Sequence, residues 1–83
     1  MARQVLHIVK RNDPLAIDLI RRQSAENPVT VILIQEAARL TFPTDTGPIF
    51  VLQDDAPEHP IYPRIDYPKM LDMILSAADV LVW

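Results

Sequence analysis

Residues 29–34, with the sequence Val-Thr-Val-Ile-Leu-Ile, constrain the fold more than any other segment of the chain. Their β-branched and aliphatic side chains show almost no alternation with polar ones, which predicts a strand that is buried on both faces. Such strands are typical of parallel sheets, because the crossover helices that connect parallel strands cover the sheet on each side. The segment therefore predicts helices above and below a sheet.

Four further strands are predicted along the chain, at residues 5–9, 49–52, 65–67 and 80–83. Three of them are short apolar runs with β-branched or aromatic residues, and Ile65-Asp66-Tyr67 is a very short strand before Pro68. The last run stays apolar to its final position, so we expect a neighbour to cover it in a sheet or an interface. A proline-rich loop is expected at residues 53–64, where regular pairing is blocked.

Helices are predicted between the strands. Asp13 can cap a helix that opens at Pro14, residues 35–40 suit a short helix, and Pro68 opens the last one. Apolar residues of the two longer helices are expected to face the sheet. They are Leu15, Ala16, Leu19 and Ile20 in the first helix, and Met70, Leu71, Ile74, Leu75, Ala77 and Ala78 in the last.

Together these elements predict an α/β fold, namely a three-layer, Rossmann-like sandwich with a mostly parallel sheet of 4–5 strands in one domain, residues 1–83. A chain of 83 residues is too short for two cores, and its apolar burial barely exceeds the entropy cost of ordering it. We therefore expect partner surfaces to supply part of the stability and the protein to form an oligomer.

Composition excludes several classes of function. The net charge of −3 lacks the basic excess that phosphate backbones attract, so direct nucleic-acid binding is not expected. No apolar run is long enough to span a membrane and no signal-peptide core is present, so a cytoplasmic protein is expected. The absence of cysteine excludes thiolate chemistry, and the single glycine, Gly47, leaves no glycine-rich nucleotide loop, so no cofactor is expected.

Polar residues follow three of the predicted strands, at the sheet edge where α/β proteins bind ligands. They are Lys10-Arg11-Asn12, Gln35-Glu36 and Gln53-Asp54-Asp55, and they could line a small-molecule site. The alternative is that they are hydrated loops, which are polar because they contact water.

A metal site is a second hypothesis. Asp54, Asp55, Glu58 and His59 place oxygen and nitrogen ligands close together in sequence. A hydrated acidic turn, fixed by the neighbouring prolines, is the competing interpretation.

His7 interrupts the first strand. It could be a base near the sheet edge, or a neutral imidazole that is hydrogen-bonded within an apolar layer. Because no nucleophile, base and orienting residue occur together, the sequence assigns no catalytic residue.

Three blocks follow one another in the chain: residues 6–11 (Leu-His-Ile-Val-Lys-Arg), residues 31–37 (Val-Ile-Leu-Ile-Gln-Glu-Ala), and Ile65-Asp66-Tyr67 with a helix and Trp83 behind it. In their residues, their order and the total length of the chain, they resemble the DsrH/TusB branch of the DsrE/DsrF/DsrH sulfur-relay proteins. That branch has an opening Leu-His strand, a strand ending in Gln and an acidic residue, an Asp-Tyr before its last helix, and a tryptophan near the end.

The resemblance implies a DsrEFH-like sheet of about five strands and assembly with DsrE/TusD-like and DsrF/TusC-like subunits into a heterohexamer. It also implies a role in passing persulfide sulfur, either toward 2-thiouridine at tRNA wobble positions or in dissimilatory sulfur oxidation. Six residues are then expected at interfaces or in the fold: His7, Gln35, Glu36, Asp66, Tyr67 and Trp83.

The chain departs from the family in two respects. The region before Asp66 is short and proline-rich, so the helix expected there is absent or reduced to a turn. Some DsrH proteins carry a cysteine where this chain has Leu19 and Ile20, and a persulfide needs a thiolate. The resemblance therefore implies a non-catalytic subunit with cysteine-bearing partners. A stand-alone small-molecule or metal binder, and a self-associating DsrE-like protein with another role, are the alternatives.

Overall fold

The computed structural model describes residues 4–39, 47–55 and 61–83. Strands and helices alternate in the described part of the chain, as the sequence predicts, except that β4 follows β3 directly in the order of elements. In chain order they are β1 (Val5–Val9), α1 (Pro14–Ser24), β2 (Val29–Leu33), a 3₁₀ helix (Gln35–Arg39), β3 (Ile49–Leu52), β4 (Arg64–Ile65), α2 (Tyr67–Ser76) and β5 (Asp79–Val82).

The five strands form one sheet in the order β4-β3-β2-β1-β5, and every neighbouring pair is parallel. The predicted Rossmann-like α/β fold is therefore confirmed, with an all-parallel sheet. β2 is the central strand, and its residues Val31, Ile32 and Leu33 are fully buried. Burial on both faces confirms the interpretation of residues 29–34, although β2 itself ends at Leu33.

One α-helix packs on each face of the sheet, because alternate residues of a strand point to opposite sides. On the first face, Val5, Val31 and Val51 pack with Ile20 of α1. On the second, Leu6, Ile8 and Ile32 pack with Met70, Met73, Ile74 and Ala77 of α2. We call these the α1 face and the α2 face.

Carboxylates at the first turn of each helix explain where the helices begin. Asp13 Oδ1 accepts hydrogen bonds from the N–H of Leu15 at 3.0 Å and of Ala16 at 3.5 Å. Asp66 Oδ1 accepts from the N–H of Lys69 at 2.9 Å. Proline in the first helical turn loses nothing, since an N–H there has no partner within the helix. α2 thus begins at Tyr67, one residue before the predicted Pro68.

The predicted apolar faces of both helices are too broad. Leu15 and Leu19 of α1 are 66% and 41% exposed, and Leu71 and Leu75 of α2 are 55% and 79% exposed. A helix of this length touches a sheet along one stripe, so apolar residues on the flank of that stripe remain in water. The prediction for Ala78 is also wrong, because this residue is exposed beyond the end of α2.

Several element boundaries also differ from the prediction. The short strand expected at residues 65–67 is Arg64–Ile65, because Asp66 caps α2 and Tyr67 is helical. The helix expected at residues 35–40 is a 3₁₀ helix, Gln35–Arg39, and Leu40 lies outside the described residues. The closing strand is Asp79–Val82 rather than 80–83. No helix in the described ranges is long and apolar enough to cross a membrane.

Candidate functional site

A polar cleft lies at the carboxyl ends of β2 and β3, where the sequence predicts a ligand site. Its volume is ≈ 530 Å³. We call it the strand-end cleft. Its walls are formed by Gln35, Glu36, Arg39, Asp54 and Asp55.

Hydrogen bonds between strand ends hold the strand-end cleft in place. Asp55 Oδ2 accepts from the N–H of Gln35 at 2.7 Å, which joins the end of β3 to the end of β2. Gln35 has a φ of +51°, a left-handed backbone conformation that residues other than glycine rarely adopt. The N–H of Ala37 donates to the carbonyl of Lys10 at 3.1 Å, which adds the end of β1.

The strand-end cleft offers carboxylates beside one guanidinium, that of Arg39. Such a lining can hydrogen-bond a small polar ligand and contribute charge of both signs, but it contains no nucleophile with an adjacent base. Among the described residues, no group of three or more His, Cys, Asp or Glu could hold a metal ion. Glu58 and His59 lie outside the described residues, so the four-residue metal site stays a prediction.

A second polar feature is buried on the α1 face, where His7 of β1 is only 1% exposed. Trp83 Nε1 donates to His7 Nδ1 at 2.9 Å, and His7 Nε2 lies 2.5 Å from Gln23 Oε1. An indole N–H can only donate, so Nδ1 carries no proton. The proton of the neutral imidazole is therefore on Nε2, which donates to Gln23. We call these three residues the His7 triad.

Burial favours the uncharged form of the His7 imidazole. Burial lowers the pKa of His7 from 6.5, and the smaller effect of the Gln23 hydrogen bond raises it. The rings of His7 and Trp83 are stacked, with centroids 6.0 Å apart and planes 21° apart. Because both ring nitrogens have protein partners, His7 has no free lone pair with which to act as a base.

An apolar cleft of ≈ 370 Å³ opens beside the His7 triad, between α1 and β5. Leu19, Leu81 and Trp83 form its apolar part, and Arg22, Glu26 and Asn27 lie at its polar end. α1 covers β1 and β2 but leaves the α1 face of β5 open. Leu19, on the side of α1 toward β5, is therefore exposed. We call this the β5 cleft.

Two of the residues expected at interfaces or in the fold lie at the start of α2. Asp66 caps the helix, and Tyr67 is its first residue and 51% exposed. Sequence reasoning missed Arg39, which follows the strand end by several residues, and Gln23, whose place near the end of an ordinary helix gave no signal. Only the three-dimensional contact with His7 identifies Gln23.

Comparisons of the chain with protein-family models, curated proteins and solved structures found no match. Function must therefore be inferred from the residues themselves and from where the fold places them.

Proposed function

We propose that this chain is a non-catalytic subunit of a sulfur-relay complex similar to DsrEFH or TusBCD. Its partners are cysteine-bearing DsrE/TusD-like and DsrF/TusC-like subunits in the cytoplasm. The partners carry the persulfide, because the chain has no cysteine and a persulfide needs a thiolate to hold it.

One contact supports this proposal more than any other. The opening Leu-His block and the tryptophan behind the last helix are separate parts of the resemblance. In the fold they meet, since Trp83 Nε1 donates to His7 Nδ1 across 76 positions of sequence. The two blocks thus form one structural unit, which is what a shared family pattern would preserve.

Other motif residues have roles in the scaffold rather than in chemistry. Asp66 caps α2, and Gln35 and Glu36 lie at the strand-end cleft. His7 is neutral and fully hydrogen-bonded. This arrangement supports a subunit that shapes a complex and does not transfer the sulfur itself.

Purification of the tagged full chain from its native host tests the proposal. We expect DsrE-like and DsrF-like subunits in the intact complex, and a persulfide on a partner cysteine detected by mass spectrometry. A chain recovered alone from repeated gentle preparations would refute it. Nucleoside analysis of tRNA from a deletion strain then separates the two roles, because loss of wobble 2-thiouridine indicates thiolation and its retention indicates sulfur oxidation.

The strand-end cleft supports one alternative, a stand-alone domain that binds a small polar molecule or a metal. A thermal-shift panel of nucleotides, sugar phosphates, amino acids and divalent metals tests it, because a ligand that binds only the folded state raises the melting temperature. The shift should disappear in Arg39→Gln for an anionic ligand, while Arg64→Gln, which changes an arginine elsewhere on the surface, should keep it. No shift across the panel would reject this alternative.

A further inference from the structure

Within residues 4–39, 47–55 and 61–83, no strand pairs with the outer edge of β5, so the backbone groups on that side are available for pairing. Asp79 N–H donates to Gln4 O at 3.4 Å, and Trp83 N–H donates to Ile8 O at 2.8 Å, so both residues point toward β1. Successive residues of a strand turn their N–H and C=O groups to opposite sides. Leu81 therefore also bonds toward β1, while Val80 and Val82 direct their N–H and C=O groups away from it.

The side chains along this edge do not oppose pairing. Val80, Leu81 and Val82 are 36%, 41% and 59% exposed, which is high for three consecutive aliphatic residues. Charged side chains, proline and bulges are the usual means by which proteins block an edge strand. None of these occurs at positions 80–82.

We propose that this edge binds a second copy of the chain. The two β5 strands pair antiparallel about a two-fold axis that passes between the Leu81 residues of the two copies. This contact joins two sheets of five strands into one continuous sheet. The interface is isologous, so it closes at the dimer and does not extend into a filament.

This register satisfies every outward group of Val80 and Val82. Val80 lies opposite Val82 of the second copy and exchanges two N–H···O bonds with it, and the two-fold axis repeats the pair. The alternative register that pairs Val80 with itself would place Val82 opposite Ala78 of the second copy. That position cannot pair, since the N–H of Ala78 already donates to Gln4 O at 2.9 Å.

The side-chain pairs agree with the same register. Val80 and Val82 meet on the α2 face, and Leu81 meets Leu81 of the second copy on the α1 face at the mouth of the β5 cleft. Aliphatic pairs directly opposite each other stabilise a sheet, and like charges opposite each other destabilise it. Asp79 is the only charged residue of β5, and it lies opposite Trp83 of the second copy.

Single-cysteine cross-linking tests the register in a background that has no other thiol. In Leu81→Cys the two thiols face each other across the axis at a non-hydrogen-bonded position, where Cα atoms lie about 4.5 Å apart and suit a disulfide. In Val80→Cys the equivalent positions are diagonal neighbours about 7–8 Å apart, which is too far. We expect near-complete cross-linking of the first variant by oxidised glutathione, and several-fold less of the second.

Sedimentation equilibrium of the purified chain tests the oligomer itself. We expect twice the monomer mass of 9.4 kDa at micromolar concentration. Val82→Lys should raise the dimer dissociation constant at least tenfold, because the lysine has no charge partner at the aliphatic edge. Leu75→Lys, which changes an apolar residue of α2 that is even more exposed than Val82, should leave the dissociation constant unchanged. Far-UV circular dichroism checks that both variants fold.

A wild-type chain that stays monomeric would overturn the proposal. A dimer that tolerates Val82→Lys and does not cross-link at position 81 would also overturn it, because the contact would then lie on another face. The proposal does not depend on the sulfur-relay function, since the purified chain is measured without partners. If no partner subunits co-purify from the host, only the sulfur-relay function is refuted. If the purified chain is a monomer, only the β5 dimer is refuted.

Discussion

The two edges of the sheet are built differently. β4 has two residues and β5 has four. At β4, the carbonyls of Pro63 and Ile65 accept bonds from β3, so only Arg64 directs its backbone outward, and its charged side chain is exposed. At β5, Val80 and Val82 direct theirs outward, and both side chains are aliphatic.

The length and side chains of an edge strand decide whether it can pair with a partner. A short strand that follows a proline and carries an arginine offers one residue for pairing, beside a charge that would have to be buried. A longer aliphatic strand offers a repeating set of donors and acceptors. The β4 edge is protected by its own sequence, whereas the β5 edge depends on what it contacts.

We expect the greatest loss of stability where a side chain of β4 is buried in the core. Ile65 of β4 is 7% exposed and packs on the α2 face. Ile65→Ala should lower the free energy of unfolding by about 3 kcal/mol, because it removes buried methyl groups and leaves a cavity. Ile61→Ala, at a residue 59% exposed in the preceding segment, should change it by less than about 0.5 kcal/mol. Equal losses in urea denaturation would contradict the burial of β4.

A somewhat smaller loss of stability is expected at Trp83, which follows β5 and attaches it to His7. Trp83→Phe keeps an aromatic ring but removes the indole N–H, which leaves Nδ1 of the buried His7 without its donor. We expect a loss of about 2 kcal/mol, the usual cost of an unsatisfied buried polar atom. Urea unfolding followed by far-UV circular dichroism measures this loss, since the variant no longer has the tryptophan fluorescence of the wild type. Tyr67→Phe is the control, because Tyr67 is half exposed. If Trp83→Phe destabilises the fold no more than this control does, the His7 triad does not hold β5.

A pH dependence should follow from the same contact. Burial lowers the pKa of His7 below 6.5 in the folded state, so the unfolded chain takes up its proton first as the pH falls. The stabilisation is complete above pH 6.5 and is lost as the pH falls through the lowered folded pKa. The urea midpoint should therefore decrease when the pH is lowered from neutral to about one unit below the unfolded pKa.

Two variants identify the group that causes this dependence. His7→Gln should flatten the profile in that range, since it removes the buried imidazole. His59→Gln should leave the slope in place. If the slope follows His59 instead, the buried triad does not set the acid sensitivity.

The smallest expected effect lies at the protected edge. Arg64→Val replaces the charge of β4 with an aliphatic side chain and should change the free energy of unfolding by less than about 0.5 kcal/mol. We also expect the sedimentation mass to stay that of the wild type, because one outward residue is too few to pair a strand. Filaments or larger species would show that the arginine alone protects this edge.

The sequence predicted the elements of the fold well because their signals are local. Aliphatic runs predicted β1, β2 and β3, and the carboxylate of Asp13 predicted the start of α1. Strand order could not be predicted, because an apolar run does not encode its neighbour. The exposure of Leu71 and Leu75 was also missed, since the width of the helix–sheet contact depends on how α2 crosses the sheet.

The candidate site was predictable only in part. The rule that parallel strands share one carboxyl edge brought Gln35, Glu36, Asp54 and Asp55 to one cleft, as the structure shows. The His7 triad was beyond prediction, because its members are 16 and 76 positions apart in sequence. No local pattern relates residues at such separations.

The crossover through α2 has a kinetic consequence. It carries the chain from β4 at one edge of the sheet to β5 at the other, so that β5 pairs with the first strand and His7 meets Trp83 across 76 positions. Contacts of such long range are slow to form, and we expect them to be absent from much of the folding transition state. Changes at Trp83 should then accelerate unfolding far more than they slow folding. The docking of β5 thus sets how long each folded molecule lasts, whereas the local pairing of β1 with β2 sets how fast it forms.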